Sequence, residues 1–465
     1  MADNFDVIVV GGGPAGYVCA IRSSQLGLKT AVIEKEKLGG VCVNVGCIPS
    51  KALLHSASLA NTIKHDAKRF GINVGDVTLD LSTAIKHSRQ VSDQNSKGVG
   101  FLMKKHKVEV ITGTGTLKPG KKVEVAGKTY TASKAVVIAT GTRVKGIPAI
   151  GLDINKTTVI SSDEALFLEE APKSLAVIGA GAVGMEFADV FNAFGSEVTV
   201  IEALPNVLPL EDEESSDAIA RAYKKRKIKT LAGAKVVKAD VGKDSVTLEL
   251  EVDGKKETVT ADKVLMAAGR ALNVEGLGLE AVGIKRDEKT GFIQHDANLQ
   301  TTAPGYYVIG DIAGPPMLAH KGSREGSFVA EVIAGETPHP IRYDNIPGVT
   351  YCHPEVASIG LTEEQCKEQK LDYKVGKFAF SANGRARASG ETDGFVKIIR
   401  DTKYGEILGA HIVGAHASEL IHELAVAREN EYTVEEVDLA VHAHPTFSEA
   451  VAEAALDSLG RVMHA

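Results

Sequence analysis

Three observations predict an α/β chain that ends in an α+β domain. A short β-branched run, Phe5 to Val10, leads into Gly11-Gly12-Gly13-Pro14-Ala15-Gly16 and then a helical pattern. The same order returns as SLAVI, Gly179-Ala180-Gly181-Ala182-Val183-Gly184 and MEFADVFNAFG. From about Ile346 the pattern changes to the strands FVKIIR and EILGAHIVG, followed by the helical stretches SELIHELAVAREN and SEAVAEAALDSL, which predicts an antiparallel sheet with segregated helices.

At 465 residues the chain exceeds what one core holds, so several folding units are expected. A net charge of -7 with no long run of Lys or Arg argues against a nucleic-acid face or a polybasic membrane anchor and favours small soluble ligands. No segment approaches the roughly 20 unbroken apolar residues of a membrane span. Five cysteines without a recognisable secretion signal predict a reducing compartment. We read that compartment as the cytoplasm, although a processed organellar matrix protein would look alike.

The first element is the buried strand Phe5 to Val10. The helix YVCAIRSSQLG follows the glycines, and the next strand, TAVIE, closes at Glu34. In the second copy EVTVIE closes at Glu202, and every fingerprint glycine and both acids are displaced by the same number of residues. A strand before, a helix after and an acid closing the next strand is the context in which GxGxxG reads as a Rossmann-like dinucleotide site. Gly11 and Gly179 permit the tight turn, Gly13 and Gly181 let backbone approach a pyrophosphate, and Gly16 and Gly184 let the helix pack closely on the sheet. The helix N-terminus supplies N–H groups and positive dipole. Each unit is expected to hold one dinucleotide. Glu34 and Glu202 would accept hydrogen bonds from adenosine ribose hydroxyls, and a carboxylate there repels a 2′-phosphate. The neighbourhood of Glu202, IEALPNVLPLEDEE, offers no Arg or Lys for such a phosphate, so the second site is expected to prefer NAD to NADP.

Each half continues alike. VEVAGKTYTASKAVVIATG reads as two short strands about a glycine turn, then an apolar strand ending in Ala139-Thr140-Gly141. SVTLELEVDGKKETVTADKVLMAAGR carries a hairpin signal at Asp253-Gly254 and ends in Ala268-Gly269-Arg270. The Pro and Gly of GIPAIGLDINKTT mark a boundary between the halves. A further strand, Tyr306 to Ile309, ends in Gly310-Asp311, where an aspartate can reach a ligand lying over the sheet or simply serve a turn. The expected division is 1–148 and 149–273 as dinucleotide-binding domains, 274–345 as a central segment returning to the first fold, and 346–465 as the α+β domain.

GGVCVNVGCIPSK sets Cys42 and Cys47 five positions apart. No second close cysteine pair or Cys/His cluster completes a zinc site, and a reducing compartment disfavours a static disulfide. Two unrelated buried thiols remain open. In a regular helix, residues five apart lie roughly 8 to 9 Å apart at Cα. A disulfide tolerates less than about 7 Å, so these two can bond only where the backbone leaves the helix. Gly46 and Pro49 would permit that departure, and a bridge so held would be easily reduced.

This stretch closely resembles the redox-disulfide signature of the flavin disulfide reductases. The two fingerprints, ATG, IGD and the C-terminal HPTFSE come in that family's order, and the resemblance covers essentially the whole chain. It implies a redox-active disulfide between Cys42 and Cys47 and a C-terminal dimerisation domain that forms a homodimer. FAD would lie in the first fold on Gly11, Gly13, Gly16, Glu34, Lys51, Thr114, Thr140 and Gly141, with Asp311 and Ala319 beside the flavin chain. NAD would lie on Gly179, Gly181, Val183, Gly184 and Glu202, with Val236, Gly269 and Arg270 nearby. Lys51 and Glu186 resemble the ion pair beside the flavin. His444 and Glu449 resemble the catalytic base and its orienting carboxylate, the His-Pro bond being cis and the histidine reaching the disulfide of the other subunit. On the residues themselves, Pro445 fixes the backbone after His444, and Glu449 opens a helical pattern near enough to accept a ring proton. A surface histidine is the alternative.

Within the family, Glu202 and Ala182 argue against the NADPH-dependent glutathione type, and the ending LGRVMHA argues against the mercuric type. The stretch PMLAHKGSREG, including His320, agrees best with members that oxidise dihydrolipoyl groups and reduce NAD. The implied partners are the lipoyl domains of 2-oxo acid dehydrogenase complexes or the glycine-cleavage system. A non-catalytic flavoprotein scaffold is the rival from another class. Val41 and Val43 stand where the family often has Thr and Leu, and Cys352-His353 departs from the usual pair. Cys19, Cys352 and Cys366 read as buried thiols.

Overall fold

The computed structural model describes residues 3–464. Two compact units divide the chain: one gathers the chain up to Ala52, Thr83–Lys145 and Gly269–Ile341, the other Leu53–Ser82, Gly146–Ala268 and the chain from Arg342 onward.

The first unit opens with β1 (Asn4–Val10), α1 (Pro14–Gln25) and β2 (Thr30–Glu34). Val7, Ile8 and Val9 are fully buried, as a continuous apolar run requires in a strand covered on both faces. Helices α2 (Gly40–Val45), α3 (Cys47–Asn61) and α4 (Leu81–Lys105) follow, then β3 (Glu109–Thr112), β4 (Gly115–Lys118), β5 (Lys122–Val125), β6 (Lys128–Ile138) and β7 (Thr142–Val144). The sheet order is β3-β2-β1-β6-β5-β4. Strand β6 is continuous where the sequence pattern predicts two strands. Its first half pairs antiparallel with β5 and its second half parallel with β1. Burial alternates through Tyr130 and Ala132 and becomes unbroken from Ala135. The change of pattern therefore marks a change of neighbours along one strand.

The second unit repeats the plan with β8 (Val159–Ser161), α5 (Ser162–Ala165), β9 (Ser174–Ile178), α6 (Ala182–Ala193), β10 (Glu197–Ile201), α7 (Glu213–Lys225) and β11 (Lys229–Leu231). Strands β12 (Ala234–Val241), β13 (Val246–Val252) and β14 (Lys255–Ala261) form an antiparallel sheet, and β15 (Lys263–Met266) completes the parallel order β11-β10-β9-β15-β8. Asp253 and Gly254 both take positive φ, 50° and 73°, as a tight hairpin turn demands. Here the strand does break, because Asp262 turns to exchange hydrogen bonds with Ser174.

The chain then returns to the first unit. Strand β16 (Arg270–Leu272) pairs with β7, and β17 (Tyr306–Val308) adds to β6 in parallel. Helix α8 (Ala319–Ala334) lies on α1. A Cβ on Gly326 would sit 2.5 Å from the Ala15 carbonyl oxygen, so only glycine allows this approach.

The C-terminal part of the second unit contains β18 (Gly348–Thr350), β19 (Glu355–Gly360), α9 (Glu363–Glu368), β20 (Tyr373–Ala379), α10 (Gly384–Ser389), β21 (Phe395–Asp401), β22 (Ile407–Gly414), α11 (Ala417–Glu429), α12 (Val434–Leu439) and α13 (Glu449–Ser458). Its sheet is antiparallel in the order β18-β19-β22-β21-β20. Ile398 and Ile412 from the strands meet Ile421, Leu424, Val451 and Ala454 from the helices in one core. No helix among the described residues is long and apolar enough to cross a membrane.

Candidate active site

The two glycine cradles share one geometry. A Cβ on Gly11 would lie 2.3 Å from the Ala139 carbonyl oxygen, and one on Gly179 would lie 2.7 Å from that of Ala267. On Gly16 or Gly184 it would fall 1.9 Å from the carbonyl oxygen of Gly11 or Gly179. The middle glycines differ in kind: Gly181 has nothing within 4 Å, and Gly13 has only Gly40 Cα at 3.9 Å. Space is therefore kept in front of each helix. The N-terminus of α1 and that of α6 have neither a side-chain cap nor an acidic residue in the first turn, leaving N–H groups for an anion.

Glu34 accepts a bond from Gly12 N at 2.7 Å and one from Glu36 N at 2.8 Å. Glu202 does the same with Ala180 N at 2.7 Å and Leu204 N at 2.9 Å. Each carboxylate is held at its glycine loop with acceptor capacity to spare. Val183 is exposed in the first turn of α6, and Val236 lies on β12 beside an irregularity in its pairing with β13. Glu186, also on α6, is buried and accepts from Tyr351 N at 3.0 Å.

In the first unit, Thr140 exchanges two hydrogen bonds with Asn273, Gly141 turns with φ 65°, and Thr114 follows Gly113. Asp311 accepts from the Thr142 hydroxyl at 2.6 Å, and Arg270 donates to that same hydroxyl at 2.6 Å. Arg270 is thus held beside Asp311 through the shared Thr142 hydroxyl. Behind Asp311 lies a pair that sequence reasoning missed. Lys321 and Glu325, each 1% exposed, contact each other at 3.2 Å and grip Gly310 through its carbonyl and its N–H. The signal was a lysine and a glutamate four apart on α8, just past Ala319.

The cysteine segment is two helices joined by a break. Helix α2 ends at Val45, Gly46 takes φ -145° and ψ -117°, and α3 begins at Cys47. A Cβ on Gly46 would lie 2.9 Å from the Val41 carbonyl oxygen. Helix α4 clasps this segment: Ser92 donates to Val43 O at 2.7 Å, Arg89 to Asn44 O at 2.6 Å and Ser88 to Pro49 O at 3.0 Å. The only sequence signal for these residues is the apolar period of a long helix.

The two cysteines face each other across the break, Cys42 hydrogen-bonded to Cys47. That bond, with burial, pushes the Cys42 thiol above its usual range, while the Lys51 ammonium draws it down. Cys47 opens a 15-residue helix, whose dipole favours a thiolate there. Cys42, unlike Cys47, lines a cavity of about 720 Å³ walled by Tyr17, Val99, Phe101, Leu102 and His320. Cys19, Cys352 and Cys366 are fully buried.

In the second unit His444 Nδ1 lies 2.8 Å from Glu449 Oε1, with His444 80% exposed and the His444–Pro445 bond cis. Glu449 is the first residue of α13, and its Oε2 accepts from Thr446 N at 2.7 Å. Burial raises the affinity of Glu449 for a proton, but the Thr446 N–H and the His444 ring outweigh it and hold the carboxyl below its usual range. The loop is pinned from several sides: Asn383 donates to Thr446 O at 3.0 Å, and the Phe447 ring packs between Phe380 and His416.

Residues 5–326 match the family model described as pyridine nucleotide-disulphide oxidoreductase, and residues 346–455 match the dimerisation domain of the same family. The chain belongs to that oxidoreductase family. Dihydrolipoyl dehydrogenases of Rhizobium etli and Corynebacterium glutamicum are 46% and 47% identical to it, with both chains covered completely in each comparison. Among solved structures, LpdA from Mycobacterium tuberculosis matches with a TM-score of 0.88 at 27% identity, over 98% of this chain and 99% of that one. The pyridine nucleotide-disulphide oxidoreductases use FAD and NAD. The two open glycine cradles, with uncapped helix N-termini and a carboxylate at each, fit two such dinucleotides.

Proposed function

We propose that this oxidoreductase oxidises protein-bound dihydrolipoamide to lipoamide and reduces NAD. The supporting observation is the asymmetry of the cysteine pair. An apolar cavity able to admit an aliphatic arm ends on Cys42, whereas Cys47 sits at a helix N-terminus suited to a leaving thiolate.

His444 of the partner subunit takes a proton at Nε2 from a dihydrolipoyl thiol, because the thiolate is the nucleophile in exchange. Glu449 keeps Nδ1 protonated and stabilises the resulting imidazolium. The thiolate attacks Cys42 of the oxidised pair, the Cys42–Cys47 bond breaks, and Cys47 leaves as a thiolate steadied by α3 and Lys51. The second lipoyl thiol then attacks the first lipoyl sulfur, its proton passing to the departing Cys42 sulfur, which releases lipoamide and a reduced cysteine pair. Bound FAD supplies the two-electron relay from that pair to NAD+. Gly11, Gly13, Gly16, Glu34 and the N-terminus of α1 would hold FAD, with Lys51, Thr114, Thr140, Gly141, Asp311 and Ala319 along it. Gly179, Gly181, Val183, Gly184, Glu186, Glu202 and Val236 would serve NAD. The reading carries with it a homodimer, lipoyl domains as partners and a cytoplasmic location.

Steady-state NAD reduction tests it. NAD reduction by dihydrolipoamide should run far faster than NADH- or NADPH-driven reduction of glutathione disulfide or mercuric ion, and Cys42→Ser or Cys47→Ser should abolish the dihydrolipoamide reaction. The reverse substrate order would overturn the assignment.

A further inference from the structure

Two residues before His444 stands a second histidine that the mechanism leaves unused. The side chain of His442 is 9% exposed and bridges two elements. Its Nε2 lies 2.7 Å from Glu423 Oε1 on α11, and its Nδ1 lies 2.8 Å from the Ala440 carbonyl oxygen, where the chain leaves α12. Both partners are acceptors only, a carbonyl and a carboxylate. A neutral imidazole has one N–H and can satisfy only one of them, whereas an imidazolium satisfies both.

We infer that His442 is a standing imidazolium and a positioning residue, clamping the segment that carries His444 to α11. On the far side of His444 the loop is anchored by Thr446, bonded to Glu449 and Asn383. On the near side only Ala443 separates His444 from the His442 clamp, and the Ala443 carbonyl is tied to the Thr446 hydroxyl at 2.7 Å. Losing the His442 proton would leave either Glu423 or Ala440 O without its donor and free the near side of the loop.

The charged groups facing the ring are Glu423 from α11 and Glu449 from α13, and both favour the cation. The hydrogen bond that Glu423 accepts, against the opposing effect of burial, draws the proton affinity of His442 above the ordinary histidine range. The clamp is therefore complete below the unfolded value of about 6.5 and is lost only as pH rises through the higher folded value.

The inference rests on His444 being the base, and Glu423→Gln tests it. Glutamine can accept from a charged ring or donate to a neutral one, so it holds the loop in either state. The ratio of kcat for Glu423→Gln to kcat for the unaltered holoenzyme should rise about tenfold from neutral pH to the alkaline side, because only the latter loses its clamp. A flat ratio would overturn the inference. Should that variant fail to fold, histidine-selective 13C,15N NMR of the unaltered holoenzyme decides, with the His442 signal assigned by His442→Gln. An imidazolium signature persisting above the pH at which exposed histidines titrate supports the inference, and a neutral tautomer at neutral pH refutes it. His444→Gln, assayed alongside, tests the base on its own: full turnover in that variant would refute the reading of His444 and leave the NMR result for His442 standing.

Discussion

At the scale of single residues, the third glycine of each fingerprint separates the two nucleotide sites cleanly. A Cβ at Gly184 would collide with the Gly179 carbonyl oxygen at 1.9 Å, so Gly184→Ala must push α6 away from its turn. The expected result is a KM for NAD raised about tenfold or more with flavin content unchanged, read by steady-state kinetics and flavin absorbance. Gly16→Ala makes the same collision with Gly11 and should give colourless, FAD-depleted protein. At His444 the orienting contact is a single 2.8 Å bond to Glu449. Glu449→Gln removes the charge that stabilises the imidazolium and should lower kcat by about a hundredfold, within the usual span for acid–base groups. Retained kcat in that variant would remove Glu449 from the mechanism.

Among elements, α4 matters more to the cysteines than its distance along the chain suggests. Two of its side chains, Arg89 and Ser92, hold carbonyls at the C-terminal end of α2 that the break at Gly46 leaves outside regular helix bonding, and a third, Ser88, bonds the Pro49 carbonyl of α3. Arg89→Ala should loosen α2 against α3, seen as faster alkylation of the reduced pair by iodoacetamide and about tenfold lower turnover, since a charge-assisted hydrogen bond is lost. Alkylation at the unaltered rate would show that α2 holds itself.

At the scale of the whole molecule, each unit is tied by buried charge. In the second, Lys397 and Asp212 are 0% exposed and 2.9 Å apart, and Lys397 also reaches Glu363 at 2.7 Å. Asp212 caps α7 through Glu214 N at 3.2 Å and accepts from Glu363 N at 3.1 Å, so one knot joins α7, β21 and α9. Burial raises the affinity of Glu363 for a proton, but Lys397 and Lys367 outweigh it and hold the carboxyl at about 2. A depressed carboxyl adds stability above its unfolded value and loses it as pH falls through the folded one. Lys397→Met leaves those carboxylates uncompensated and should cost about 3–5 kcal/mol. Acid unfolding followed by circular dichroism should then begin at a higher pH than in the unaltered protein. An unchanged acid midpoint would deny the knot that role.

The order of elements was legible because local pattern dictates it. Strand, glycine turn, helix and acid recur in both halves, and the third glycine of each is required by the carbonyl oxygen of the first. The open space before Gly13 and Gly181 follows from the same local geometry. So does the break at Gly46 that puts two cysteines on separate helices. The sequence could not show that 128–138 is one strand with two sets of neighbours. It also could not show that Lys321 and Glu325 lock the Gly310 turn, that α4 clasps α2, or that His442 is gripped by Glu423. Those contacts join residues whose partners come together only when the sheets are assembled. A hydrogen bond between distant segments leaves no period in the chain, so composition and spacing determined the parts and their chemistry, and tertiary packing alone decided which side chains hold them in place.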